Sequence, residues 1–85
     1  MEFYDYLQTR IDMSRDSGVQ HLPKVLQKLI DDGGDEVYLD SLITDSARKE
    51  LEAETYSIDH LYYWSLTGHL QDVKLHWEIM KNIGV

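Results

Sequence analysis

The sequence predicts an all-α fold: a small bundle of four to six helices, with two helical hairpins, roughly 2–32 and 57–82, flanking an acidic helical segment. Three observations carry this expectation. Apolar residues recur at steps of three and four over most of the chain, which is the period of an amphipathic helix. Glycines punctuate the periodic stretches at Gly18, Gly33, Gly34 and Gly68, where helices can stop. Only Val37-Tyr38-Leu39 has the composition of a strand, and no second candidate exists to pair with it. With 85 residues the chain is expected to form a single helical domain over 1–85, because a second core would have too little chain to bury.

In the first segment Phe3, Leu7 and Ile11 follow at steps of four with Tyr4 beside them, one face of a helix over 2–15 that Ser17-Gly18 ends. The second helix is the most clearly marked. Pro23 fits its first turn, where a missing N–H costs nothing, and Leu22, Val25, Leu26, Leu29 and Ile30 form a stripe that stops at Gly33-Gly34. Over 35–43 the strand and helix readings compete. Leu39, Leu42, Ile43 and Ala47 share a helical face with Asp35 available as N-cap, so helix is favoured.

The helical period continues over 46–67 through Ala47, Leu51, Ile58, Leu61, Tyr62 and Ser65. Thr55, Tyr56 and Ser57 are poor helix formers and Ser57 can cap a new start, so one helix and two remain open. Gly68 permits a break before a last helix over 69–82. That helix places Leu70, Val73, Trp77 and Met80 on one face and Leu75, Ile79 and Ile83 elsewhere. A helix apolar around most of its circumference is usually buried between neighbours.

Charge supplies the main functional lead. Residues 31–60 hold Asp31, Asp32, Asp35, Glu36, Asp40, Asp45, Glu50, Glu52, Glu54 and Asp59 against Arg48 and Lys49 alone, which accounts for the whole net charge of −8. A field pooled in one segment attracts a basic protein surface and repels nucleic acid. These ten acids are the expected electrostatic contacts. Tyr63 and Trp64 fall off the Ile58–Leu61–Ser65 stripe, and with Trp77 they are the expected aromatic anchors, since exposed Trp and Tyr are enriched at interfaces.

Other chemistries lack their signatures. His69, Asp72 and His76 project from one side of the last helix, with His60 within reach of the preceding one, but the two histidines are spread over about 10 Å of axis, too far for one ion. Asp12-Met13-Ser14-Arg15-Asp16-Ser17-Gly18 alternates oxygen ligands like a calcium loop, yet has Ser17 where the loop needs Gly and Pro23 where it needs Glu. There is no P-loop, nucleophile elbow or Gly-rich phosphate cradle, so neither a catalytic site nor a cofactor is expected. No basic stripe tracks nucleic acid. The absence of Cys removes disulfides and thiolate metal sites. The start Met1-Glu2-Phe3-Tyr4-Asp5-Tyr6 lacks a signal-peptide pattern and no stretch approaches the ~18 apolar residues of a membrane span, so a cytoplasmic setting is expected.

His21-Leu22 and Val25 recur as His69-Leu70 and Val73, each pair opening a helix after a glycine. The run Gly68-His69-Leu70-Gln71-Asp72-Val73-Lys74 with Trp77, Met80 and Gly84 resembles the second half of a pentatricopeptide-type repeat. The resemblance implies a helical hairpin. It occurs in a single copy, whereas such arrays close a core by stacking several, and single-stranded RNA binding sits badly with the negative field, so that function is not carried over.

The expectation that follows is a small acidic helical module that regulates, adapts or inhibits a partner protein bearing a basic surface, with self-association through the last helix as an extension. An acidic decoy that mimics nucleic acid toward a nucleic-acid-binding protein is the alternative, and a metal-dependent enzyme is the third reading. Salt separates the first two, since a decoy loses most of its affinity as ionic strength rises.

Overall fold

The stripe Leu7, Ile11 and Ser14, joined by Tyr6, is buried along one side of α1 (Phe3–Asp16). The computed structural model describes residues 2–83 and contains four helices there. Gly18 closes α1 with φ +79°, a left-handed conformation that glycine alone adopts without penalty, while the Val19 amide reaches back to the Ser14 carbonyl at 2.9 Å. Tyr4 lies on the solvent side and donates to the Gly34 carbonyl at 2.8 Å, tying α1 to the end of the next helix.

Helix α2 (His21–Asp31) buries Leu22, Pro23, Leu26 and Leu29 and ends at Gly33, φ +68°, with the Gly34 amide bonded to the Leu29 carbonyl. The segment 35–43 is helical. Asp35 caps α3 (Glu36–Glu52) by accepting from the Tyr38 amide at 3.0 Å, as its position in the sequence implies.

The 46–67 segment divides. Helix α3 stops at Glu52, and α4 (Ile58–Ile83) starts after Ser57, whose Oγ accepts from the His60 amide at 3.1 Å. Two expectations are corrected here. Gly68 does not break the chain: α4 runs through it for 26 residues, because one interior glycine costs only about 1 kcal/mol against the packing of a long amphipathic face. Residues 57–82 are therefore a single helix rather than a hairpin, and its antiparallel partner is α3. The resemblance to a repeat hairpin fails for the same reason, and Gly84 lies outside the described residues.

Contacts set the layout. Up α1, Phe3 meets Trp77, Tyr6 donates to the Val73 carbonyl, and Arg10 reaches Asp72, so α1 runs antiparallel to α4. Up α3, Glu36 meets Lys81, Asp40 meets Lys74, and Ser46 meets Thr67, so α3 does the same on another side. The α1–α2 hairpin is turned so that His21, at the start of α2, lies beside Ser65 of α4. The core joins Tyr6, Leu7, Ile11, Leu22, Leu26, Leu29, Leu39, Leu66, Leu70, Val73 and Trp77. From α4 it takes only residues 66–77. At 1.5 Å per residue α4 is about 39 Å long and α1 about 21 Å, so the first turns of α4 and the end of α3 project past the α1–α2 layer. The extents of 43 × 25 × 24 Å reflect that overhang. No helix among the described residues is long and apolar enough to cross a membrane.

Candidate functional site

The overhanging tip of the α3–α4 hairpin is built from the last turn of α3, the link 53–57 and the first two turns of α4. The stripe expected to be core over 46–67 fails here. Leu51 is 85% and Ile58 86% exposed, Leu61 and Tyr62 are also exposed, and Leu66 and Thr67 are buried instead. The link accounts for Ile58, since helical phase is not carried across 53–57; Leu51 keeps the phase of Leu39 and Ile43 and is exposed because it lies in the last turn of α3. Tyr56 in this link holds φ +64°, a conformation disfavoured for a bulky residue, and presents an exposed ring edge-on to His60 at 6.3 Å.

The three expected anchors have different fates. Trp64 is 63% exposed on the first turns of α4, next to Leu61. Tyr63 is half-buried: its ring packs against the core, Lys49 Nζ lies 5.5 Å above it, and its carbonyl accepts from Thr67 Oγ1 at 2.7 Å. Trp77 is corrected outright. It is 8% exposed, sits 5.2 Å from Phe3 and 5.3 Å from Tyr6, and donates from Nε1 to Glu36, so it is a core residue. Helical spacing put it on the apolar face with Leu70 and Val73, and that face is the covered one.

The ten acids also divide. Asp31 accepts from Gln27 at 2.9 Å, and Asp32 from Tyr38 Oη at 2.7 Å and Lys28 at 3.2 Å. Asp35 is the cap of α3, Glu36 binds Lys81 at 2.6 Å, and Asp40 binds Lys74 at 2.5 Å. Asp45 and Glu52 flank Arg48 at 3.2 and 3.9 Å. Glu50, Glu54 and Asp59 have no side-chain hydrogen bond or ion pair among the described residues. The hydrogen bonds from Lys81 and Trp77 hold the Glu36 carboxyl below its ordinary range, and those from Tyr38 and Lys28 do the same for Asp32. The first half of the acidic segment thus holds helices together, and the unpaired charge collects at the tip.

The histidine–aspartate strip separates as well. Asp72 is bound to Arg10 at 2.5 Å, and His76 Nδ1 lies 3.1 Å from the same guanidinium. His69 turns to the other flank, its ring 5.5 Å from His21, and His21 Nε2 lies 3.1 Å from Ser65 Oγ. Burial first, and the neighbouring His69 second, push the His21 imidazole below its ordinary value.

Sequence reasoning missed Leu51, Tyr56, Ile58 and Leu61 as surface residues. The signal is Thr55-Tyr56-Ser57, poor helix formers that leave one helix and two open in the sequence. No protein-family model matches the chain, and neither a curated protein nor a solved structure is significantly similar to it.

Proposed function

We propose that the protein is a small interaction module that binds a partner protein through the α3–α4 tip. One observation carries this reading: the tip exposes Leu51, Ile58, Leu61 and Trp64, and the same stretch of chain holds Glu50, Glu54 and Asp59, which have no ion pair among the described residues. An apolar centre with a charged rim is the anatomy of a protein interface. Trp64 is the anchor, and the carboxylates steer a basic surface toward it, raising the association rate more than the affinity. The partner is a protein with a basic surface, the work is binding rather than catalysis, and the setting is cytoplasmic.

Affinity capture from native cell lysate tests the proposal, with Trp64→Ala and the triple change Glu50→Gln, Glu54→Gln, Asp59→Asn compared with the unaltered chain. Trp64→Ala is expected to remove the captured protein at all salt concentrations, and the triple change to slow its capture chiefly at low salt. A captured set that neither variant alters sinks the tip as the binding surface. Capture that ignores Trp64 and vanishes with salt replaces the anchor reading with the acidic decoy.

A further inference from the structure

A second surface runs along the outer side of α4. At 100° per residue, Leu61, Trp64, Gly68, Leu75 and Ile79 fall within a sector of about 60°. All five are exposed, and the core residues Leu66, Leu70, Val73 and Trp77 lie on the other side of the helix. Leu61, Gly68 and Leu75 are separated by seven residues each, the repeat that aligns one helix against another.

Gly68 sits in the middle of this row. Apart from its chain neighbours and the backbone of its own helical turns, no heavy atom of the described residues lies within 4 Å of where its Cβ would stand, so no packing contact among them requires a glycine there. Glycine is nevertheless among the worst residues for a helix interior. Next to it is a notch of about 310 Å³ lined by Trp64, Ser65, Gly68 and His69 that no side chain of the described residues fills.

We propose that this face is the interface of a homodimer in which two copies of α4 cross antiparallel at Gly68. A two-fold axis there sets Leu61 of each copy against Leu75 of the other, both about 10.5 Å from the crossing, and brings Ile58 toward Ile79. That self-complementarity is what an isologous interface needs. The missing Cβ lets the two backbones approach closely where they cross. Charge selects the direction. A parallel pair would stack the acidic tips on one another, whereas the antiparallel pair keeps them apart and opposes the helix dipoles. One helix face buries less than a standard interface, so dissociation constants between about 1 µM and 1 mM are expected. Each copy carries a net charge of −8, so added salt tightens the dimer. Leu61 and Trp64 belong to the tip as well, and a second copy and a basic partner exclude each other there. The dimer stands without the tip reading.

Sedimentation of the full chain from about 10 µM to about 1 mM, at about 50 and about 500 mM salt, tests it. A monomer–dimer equilibrium that tightens with salt is expected. Gly68→Ala is expected to raise Tm by about 4–8 °C while weakening the dimer at least tenfold, opposite signs that misfolding cannot mimic. The chain has no Cys, so Leu61→Cys and Leu75→Cys proteins mixed under oxidation are expected to cross-link to each other and neither to itself. A chain that stays monomeric throughout, a Gly68→Ala dimer of unchanged affinity, or a Leu61→Cys protein that links to itself would overturn the proposal.

Discussion

At its C-terminal half α4 is packed from two directions: Trp77 lies against Phe3 and Tyr6, and Glu36 and Asp40 of α3 are bound by Lys81 and Lys74. At its N-terminal end the same helix carries Ile58, Leu61 and Trp64 exposed, and Glu50, Glu54 and Asp59 nearby form no ion pair among the described residues. Each end has one tryptophan and its share of carboxylates, so composition does not separate them. Coverage does. Where a second hairpin crosses the helix, an aromatic ring becomes core and a carboxylate becomes a tie between helices. On the outer side of α4, where no helix packs, and past the end of the shorter hairpin, the same residue types are left facing solvent.

Truncating the two tryptophans separates the ends most strongly. Trp77→Ala is expected to cost about 3–5 kcal/mol in urea unfolding, because it empties a buried site. Trp64→Ala is expected to change stability by no more than about 0.5 kcal/mol. Equal losses would break the comparison. In binding the order reverses: with a captured partner in hand, Trp64→Ala is expected to weaken affinity by about 2 kcal/mol, some thirtyfold, by calorimetric titration.

The carboxylates give a smaller contrast, visible in acid. Glu36 is held below its ordinary value of 4.5 by Lys81 and Trp77, so the folded state binds fewer protons there than the unfolded chain. Its contribution is fully present above that ordinary value and is lost as pH falls through the lower folded one. Glu36→Gln is expected to remove this part of the acid dependence of Tm. A variant whose acid dependence matches that of the unaltered chain would mean that the tie to Lys81 and Trp77 is electrostatically idle.

The smallest effect belongs to the boundary between the two regions, where His21 meets Ser65 and His69. Its folded value lies below the ordinary 6.5, through burial and then His69, so the neutral imidazole is the form the fold favours. Stability is fully present above 6.5, declines as pH falls toward the folded value and levels off beneath it. Thermal melts between about pH 7.5 and about pH 5 are expected to show this slope, and His21→Gln to flatten it.

Local signals were legible wherever chemistry acts within a few residues. Helix α2 could be placed from Pro23, its apolar stripe and Gly33-Gly34, and the caps of Asp35 and Ser57 from side-chain type and position. Gly68 misled because a glycine signals a stop only when the helices on either side lack enough packing to continue through it. The Leu51–Ile58 stripe misled for two reasons: Leu51 keeps the phase of Leu39 and Ile43 but lies in the last turn of α3, and Ile58 follows a link that resets the phase. Trp77 shares the Leu70–Val73 face and Trp64 lies on the other side of the helix, so spacing already separated them, and the apolar face that holds Trp77 is the one its neighbours cover.

The amino-acid order alone determined the helical class, the turns and the pooling of negative charge, because each follows from backbone preferences and side chains adjacent along the chain. Which apolar residues became core, and which carboxylates were neutralised, was decided only when a hairpin of shorter helices docked on a helix of 26 residues and left its first turns uncovered. Burial depends on what lies opposite in space, and that neighbour comes from residues more than forty positions away, such as Glu36 and Phe3 around Trp77.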